Sequence, residues 1–149
     1  MKKSDPILVR YRWWVMNLAL VGILLALYLY YEYYTKRNIG VCDINSVFSC
    51  GPVTTGSLSE LFGMPVALIG LVGYLVIFIT AFFKRFKWAF FMATFGMLFC
   101  LRITFLEIFV EQVLCPVCLA CQAVMIAEFI LTLQLAYPKK FGLLPKKSQ

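Results

Sequence analysis

The chain has 149 residues, of which 62% are hydrophobic and 14% are charged, whereas soluble domains are roughly 45–50% apolar and about 25% charged. So short and apolar a chain cannot bury its hydrophobic residues in a water-soluble globule, and its composition predicts one domain in a membrane. The net charge of +7 does not indicate nucleic-acid binding, because the cations stand in short clusters between apolar runs, where they act as topology signals.

Four apolar runs are each long enough to cross a bilayer, which takes about 20 residues of helix. They predict an all-α membrane protein, a bundle of four transmembrane helices in one domain over residues 1–149. Aromatic rings, which favour the membrane–water boundary, stand near the ends of several runs. The expected spans are about 13–34, 64–83, 88–110 and 117–137.

The distribution of lysine and arginine predicts how these spans are oriented. Cations cluster before the first run, in the tight link between the second and third runs, and in the tail after the fourth. With four spans these three segments lie on one side, which the positive-inside rule assigns to the cytoplasm. We therefore expect a multi-pass protein of the cell membrane with both termini cytoplasmic and with residues 35–63 and 111–116 outside.

The outer loop, residues 35–63, contains a helix-start signal. Ser57 and Glu60 fit a capping box, in which the side chain of each residue accepts a hydrogen bond from the backbone N–H of the other residue. The pattern predicts a short helix from Ser57 that rests on the membrane surface through apolar residues such as Leu61 and ends at Gly63.

Four of the six cysteines are expected at the outer face. Cys42 and Cys50 lie in the outer loop, and Cys115 and Cys118 form a C-x-x-C motif where the fourth span begins. This spacing is typical of redox-active dithiols, and the amino end of a helix stabilises a thiolate. The outer compartment permits disulfides, and one pair can exchange with another through a mixed disulfide. Histidine is absent, so sulfur chemistry in a two-pair relay is the favoured interpretation.

Two other interpretations of the same cysteines stay open. A four-thiolate zinc site could use these sulfurs, although the outer location and the unequal spacing count against a metal. Two structural disulfides could instead staple the outer loop. In either case the chain would be a non-catalytic metal-binding or scaffold protein of the membrane.

The remaining reactive residues fall inside the predicted spans. Cys100 and Cys121 are expected to behave as small apolar residues, as buried free cysteines usually do. The ionisable residues Arg102, Glu107 and Glu128 should face the bundle interior. Arg102 and Glu128 lie at similar depth and could pair there.

Four motifs follow one another along the chain, and their order, spacing and membrane context are more specific than any one of them. They are Val41-Cys42-Asp43, the seven residues between Cys42 and Cys50, Phe62-Gly63-Met64-Pro65, and Cys115-Pro116-Val117-Cys118. Together they resemble the vitamin K epoxide reductase family, from the first span to the fourth. The resemblance implies a four-helix bundle around a quinone of the ubiquinone, menaquinone or vitamin K type, capped by the outer loop.

The resemblance also implies a role for each cysteine of the relay. Cys118 faces the quinone, Cys115 exchanges with Cys50, and Cys42 meets the reduced partner. The microbial members that the chain resembles oxidise a thioredoxin-like protein and reduce a quinone from the membrane pool. Since the chain ends at Gln149, we expect a separate thioredoxin-like partner of the DsbA type.

The implied activity is that of a quinone-dependent thiol–disulfide oxidoreductase that supports disulfide-bond formation. Reduction of a vitamin K epoxide or quinone as the physiological goal would use the same electron path. One position departs from the family, which usually has Ser or Thr six residues after the second loop cysteine, where this chain has Gly56. We therefore expect Ser57, one residue later, or Gln122, one helical turn after Cys118, to join Cys118 in contacting the quinone.

Overall fold

The computed structural model describes residues 6–35, 50–51, 56, 59–61, 63–112 and 114–138. Helices dominate this part of the chain, and the other regular elements are two short strands and one helical turn of the wider π type. In chain order they are α1 (Pro6–Thr35), β1 (Glu60–Leu61), β2 (Met64–Pro65), α2 (Val66–Phe82), α3 (Phe86–Leu106), the π turn (Glu107–Glu111) and α4 (Pro116–Ala136).

The lengths of the helices fit a protein that crosses the membrane several times. Three helical segments, α1, α3 with its π turn, and α4, are long and apolar enough to span a bilayer. Helix α2 is also apolar but has 17 residues, which gives it a length of about 25 Å against a hydrocarbon core of about 30 Å. Each of the four predicted spans coincides with one of these helices to within a few residues, apart from α1, which begins earlier, at Pro6.

The four helices pack in a ring, in which α1 contacts α2 and α4, and α3 contacts the same two helices. Small residues let the helix axes approach closely, as is typical of membrane bundles. At Gly22 of α1 the ring of Tyr74 from α2 occupies the space that a Cβ atom would need. The buried core of the bundle consists of Val15, Ala19, Ala26, Tyr74, Ile77, Ala81, Ala93, Met125 and Leu135.

The outside of the bundle is covered by large apolar side chains. Such a surface suits contact with lipid rather than with water. More than half of the side-chain surface is exposed at Trp14, Leu24, Phe91, Phe95 and Leu98.

The prediction of a surface helix in the outer loop is wrong where the structure describes that segment. Glu60 and Leu61 pair with Pro65 and Met64 as a small antiparallel hairpin. Gly63 has a φ of +78° in the turn, a conformation that glycine adopts without strain. The Oε1 of Glu60 accepts a hydrogen bond of 2.7 Å from the Tyr33 hydroxyl of α1.

The ionisable residues within the spans differ in their surroundings. Glu107 and Glu128 are fully buried, whereas Arg102 is exposed. Within the described residues neither carboxylate oxygen of Glu128 has a hydrogen-bond partner. The expected pair of Arg102 with Glu128 is therefore not formed.

Candidate redox site

The C-x-x-C motif forms the first turn of α4. Cys115 is the extended residue before the helix, Pro116 occupies its first position, and the Cys118 amide donates to the Cys115 sulfur at 3.4 Å. Proline fits this position because the first helical N–H has no partner within the helix. The Cys115 sulfur therefore lies at the positive end of the helix dipole, where a thiolate is stabilised.

Cys50 from the outer loop meets this motif directly. Its sulfur lies 2.7 Å from the sulfur of Cys115, and the two residues are 65 positions apart in the chain. Their side chains are almost fully enclosed, with 1% and 0% of their surface exposed. Cys50 is disulfide-bonded, while Cys115 and Cys118 are free thiols. The distance between the Cys50 and Cys115 sulfurs is longer than a disulfide bond, which is about 2.05 Å. The two sulfurs are close enough for one to attack the other.

Two further residues that the sequence assigns to the site, Cys42 and Ser57, lie outside the described residues. A four-thiolate zinc site would need Cys50 as a thiolate ligand. The disulfide at Cys50 removes that ligand in the state described here.

A fourth group, which the sequence interpretation did not place at the site, completes the cluster. The Glu107 carboxylate is fully buried, and its Oε2 accepts a hydrogen bond of 3.1 Å from the Cys115 backbone amide. One oxygen of Glu107 and the sulfurs of Cys115 and Cys118 all lie within 4.8 Å of one another. The signal available in the sequence was an acidic residue within a span, eight positions before the C-x-x-C motif.

An apolar cavity begins beside the Cys118 sulfur and extends into the bundle. Its wall is formed mainly by aliphatic and aromatic side chains from all four helices, and Cys118 shares it with Cys121, Cys100 and Thr104. Tyr74 also lines it, but its hydroxyl donates to the Cys121 carbonyl at 3.0 Å. An adjoining cavity of about 300 Å³ between α2 and α3 shares four of the lining residues. The cavity at Cys118 has a volume of about 60 Å³ and reaches the size of a small-molecule site only together with the adjoining one. Its apolar lining with a few polar groups suits the ring and chain of a quinone.

Gln122, the other expected quinone contact, is buried one turn along α4 from Cys118. Among the described residues its side-chain amide has no hydrogen-bond partner. At this level of α4 the cavity wall is formed by Cys121.

The comparison with known proteins agrees with the fold and the cysteine pattern. No curated protein matches the chain. The family model described as the vitamin K epoxide reductase family matches residues 13–133, a range that contains α2, α3, the hairpin, every cysteine and most of α1 and α4. The chain is therefore a member of the vitamin K epoxide reductase family.

Proposed function

We propose that the chain carries electrons from the thiols of a protein in the outer compartment to a quinone in the membrane. The observation that carries this proposal is the contact between the sulfurs of Cys50 and Cys115, 2.7 Å apart, next to a Cys118 thiol that lines an apolar cavity. Membership of the family supports a redox activity in the membrane. Beyond that redox activity, we propose that electrons pass through two cysteine pairs and that a quinone accepts them.

The proposed path has three exchanges, and each transfers two electrons. The partner's two thiols become a disulfide as the Cys42–Cys50 disulfide is reduced. Cys50 then attacks Cys115 of an oxidised C-x-x-C pair, and Cys42 resolves the mixed disulfide. Finally Cys115 and Cys118 form their disulfide again and release two electrons and two protons. When bound, the quinone supplies the acceptor for these electrons and protons and leaves as a quinol.

The burial of Cys50 supports different roles for the two loop cysteines, in which Cys50 exchanges with Cys115 and Cys42 meets the partner protein. Cys50 and Cys115 are only 1% and 0% exposed, so a folded partner protein cannot reach either sulfur. A second loop cysteine is then needed to meet the partner, and we assign this role to Cys42. We assign the partner to the thioredoxin-like proteins of the DsbA type, and the transfer supports disulfide-bond formation.

The same proposal includes a topology of four spans in one domain over residues 1–149. The hydrogen bond from Tyr33 to Glu60 and the contact from Cys50 to Cys115 gather the end of α1, the hairpin and the start of α4 at one end of the bundle. The opposite end has the exposed cations Lys84 and Arg85. By the positive-inside rule that end is cytoplasmic, which puts the cysteines on the outer face and both termini inside.

A vitamin K epoxide as the physiological oxidant would use the same sulfurs in the same order. The two versions are separated by the oxidant that the reduced protein accepts. Quinone and epoxide are therefore both offered in the test.

The test is anaerobic mixing of the fully reduced protein with quinone while quinol absorbance is followed. We expect two quinols per wild-type chain, one for each reduced cysteine pair, and none in Cys115→Ser or Cys118→Ser, because neither variant can form the C-x-x-C disulfide. The matched control is Cys42→Ser, which leaves the C-x-x-C pair intact and should still give a single turnover after chemical reduction. Quinol formation by Cys118→Ser would refute the proposal. So would bound metal in the purified wild type with no turnover of quinone or epoxide.

A further inference from the structure

Glu107 is a buried residue of which only one carboxylate oxygen has a hydrogen-bond partner among the described residues. Its side chain is 0% exposed, and its Oε2 is held by the Cys115 amide at 3.1 Å. Its Oε1 has no hydrogen-bond partner among the described residues. An ionised carboxylate without a second partner is costly to bury, so a group that exchanges protons with it would account for its position.

The groups that face Glu107 are the two thiols of the C-x-x-C pair. A carboxylate oxygen and the Cys115 and Cys118 sulfurs lie within 4.8 Å of one another. The acid is thus in direct reach of both atoms that lose protons when the pair is oxidised. Cys50 approaches the same cluster through its contact with Cys115.

Glu107 points into the bundle because it follows the buried Ile103 by four residues, one helical turn further along the same face. Helix α3 ends at Leu106, and the wider π turn then covers Glu107–Glu111. Within this turn Ile108, Phe109 and Val110 are apolar and exposed by 46%, 66% and 62%, as suits the lipid side. Glu107 therefore faces the sulfur pair at the start of a type of turn that is frequent at functional sites.

We propose that Glu107 is a catalytic residue that carries a proton for the Cys115–Cys118 pair. When two thiols become one disulfide, two S–H bonds break, one S–S bond forms, and two electrons and two protons leave. The proton of the Cys115 thiol passes to the Glu107 carboxylate and from there to the acceptor. The acceptor also receives the Cys118 proton and both electrons. The choice of a quinone as acceptor rests on the proposed function, whereas proton transfer to Glu107 does not.

A purely structural role is the alternative, because Glu107 also accepts the Cys115 amide. The variant Glu107→Gln separates the two roles. Its amide oxygen can still accept the Cys115 N–H, but its side chain cannot carry a proton. The matched control is Glu128→Gln, which also removes a fully buried carboxylate but lies ten residues beyond Cys118, about 15 Å along the helix.

The first measurement is the single-turnover rate of the reduced protein with a short-chain quinone. We expect Glu107→Gln to lower the rate about 100-fold, the usual contribution of a positioned proton carrier, with KM and Tm close to the wild type. Glu128→Gln should keep the wild-type rate. An unchanged rate in Glu107→Gln would overturn the proposal. If that variant does not fold, Glu107→Asp moves the carboxyl away from the sulfurs and should slow turnover about 10-fold or more, and a wild-type rate there would overturn it.

The second measurement needs no quinone. Infrared difference spectra compare the protein reduced by dithiothreitol with the protein oxidised by diamide, which takes up protons from water. The oxidised protein should gain a protonated-carboxyl band, because the Cys115 proton stays on Glu107 when no quinone removes it. The band should be lost in Glu107→Gln and kept in Glu128→Gln. A band that persists in Glu107→Gln, or its absence from the wild type, contradicts the proton transfer. A wild type that shows the band but reduces no quinone would refute the proposed function and leave Glu107 as the proton carrier.

Discussion

At the scale of single residues, the two sulfurs of the C-x-x-C motif have different neighbours. Cys115 is buried between Cys50, the Glu107 carboxylate and the first turn of α4. Cys118, three residues later in the same turn, lines the cavity. One sulfur of the motif is therefore positioned for exchange with the loop and the other for chemistry inside the bundle.

This arrangement predicts a trapped species when Cys42 is replaced. In Cys42→Ser no loop thiol can resolve a Cys50–Cys115 link, so this mixed disulfide should accumulate. Turnover driven by a protein dithiol should be abolished. A small dithiol should retain measurable turnover, because it can reduce the Cys115–Cys118 disulfide directly at Cys118, which is less buried than Cys115. Non-reducing peptide mapping detects the link between the outer loop and the start of α4.

The double variant with Cys42→Ser and Cys50→Ser serves as the control, since it cannot form the link. If the loop disulfide were only a structural staple, Cys42→Ser would impair both reductants equally and give no such link. That result would exclude the shuttle role of the loop pair.

At the scale of elements, sequence patterns predicted the long helices well and the short irregular segments poorly. Runs of about 20 apolar residues have few alternatives in a membrane, because every backbone group must find its hydrogen bond within the segment. The local capping signal at Ser57 predicted that Glu60 lies in a short helix. Glu60 lies in a strand instead, and its carboxylate accepts a hydrogen bond from Tyr33, 27 residues earlier. Such a contact between distant residues overrides a local preference and leaves no local pattern in the sequence.

The sequence predicted that Glu107 faces the bundle interior, and the structure confirms it. Its contact with the C-x-x-C motif was not predicted, because the sequence does not show how closely the end of α3 approaches the start of α4. The cysteines were easier to assign, because C-x-x-C spacing fixes Cys115 and Cys118 on one helical turn wherever the helix begins. Gln122 was expected at the cavity from spacing alone, but the cavity lies on the side of Cys121.

The contact between α1 and α2 gives a prediction about stability. Gly22→Ala places a methyl group where the Tyr74 ring lies, so we expect the free energy of unfolding to fall by about 1–3 kcal/mol. Gly73→Ala is the matched control, because it makes the same change on α2 with no atom within 4 Å of the new Cβ. Thermal unfolding in detergent compares the two, and equal Tm values would contradict the close contact.

At the scale of the whole molecule, two ends of different chemistry face opposite ways. One end gathers the sulfurs and the hairpin, and the other has the exposed cations of the link between α2 and α3. The proposed orientation follows from this asymmetry together with the positive-inside rule.

Labelling with membrane-impermeant maleimide tests the orientation. In intact cells treated with reductant, Cys42 should react, whereas a cysteine introduced by Lys84→Cys should react only after the membrane is disrupted. Lys84 is exposed in the link between α2 and α3, so its label reports the side and not burial. Labelling of Lys84→Cys in intact cells would show that the orientation is opposite to the one predicted.

The enclosure of the Cys50 and Cys115 sulfurs also affects how the protein withstands its surroundings. Peroxide, glutathione and dissolved metal ions react with thiols that they can touch, and these two side chains are 1% and 0% exposed. Side reactions of this kind are therefore slowed at both sulfurs. The enclosed pair then exchanges faster with molecules that dock on the loop or dissolve in the lipid than with the redox buffer of the surrounding fluid.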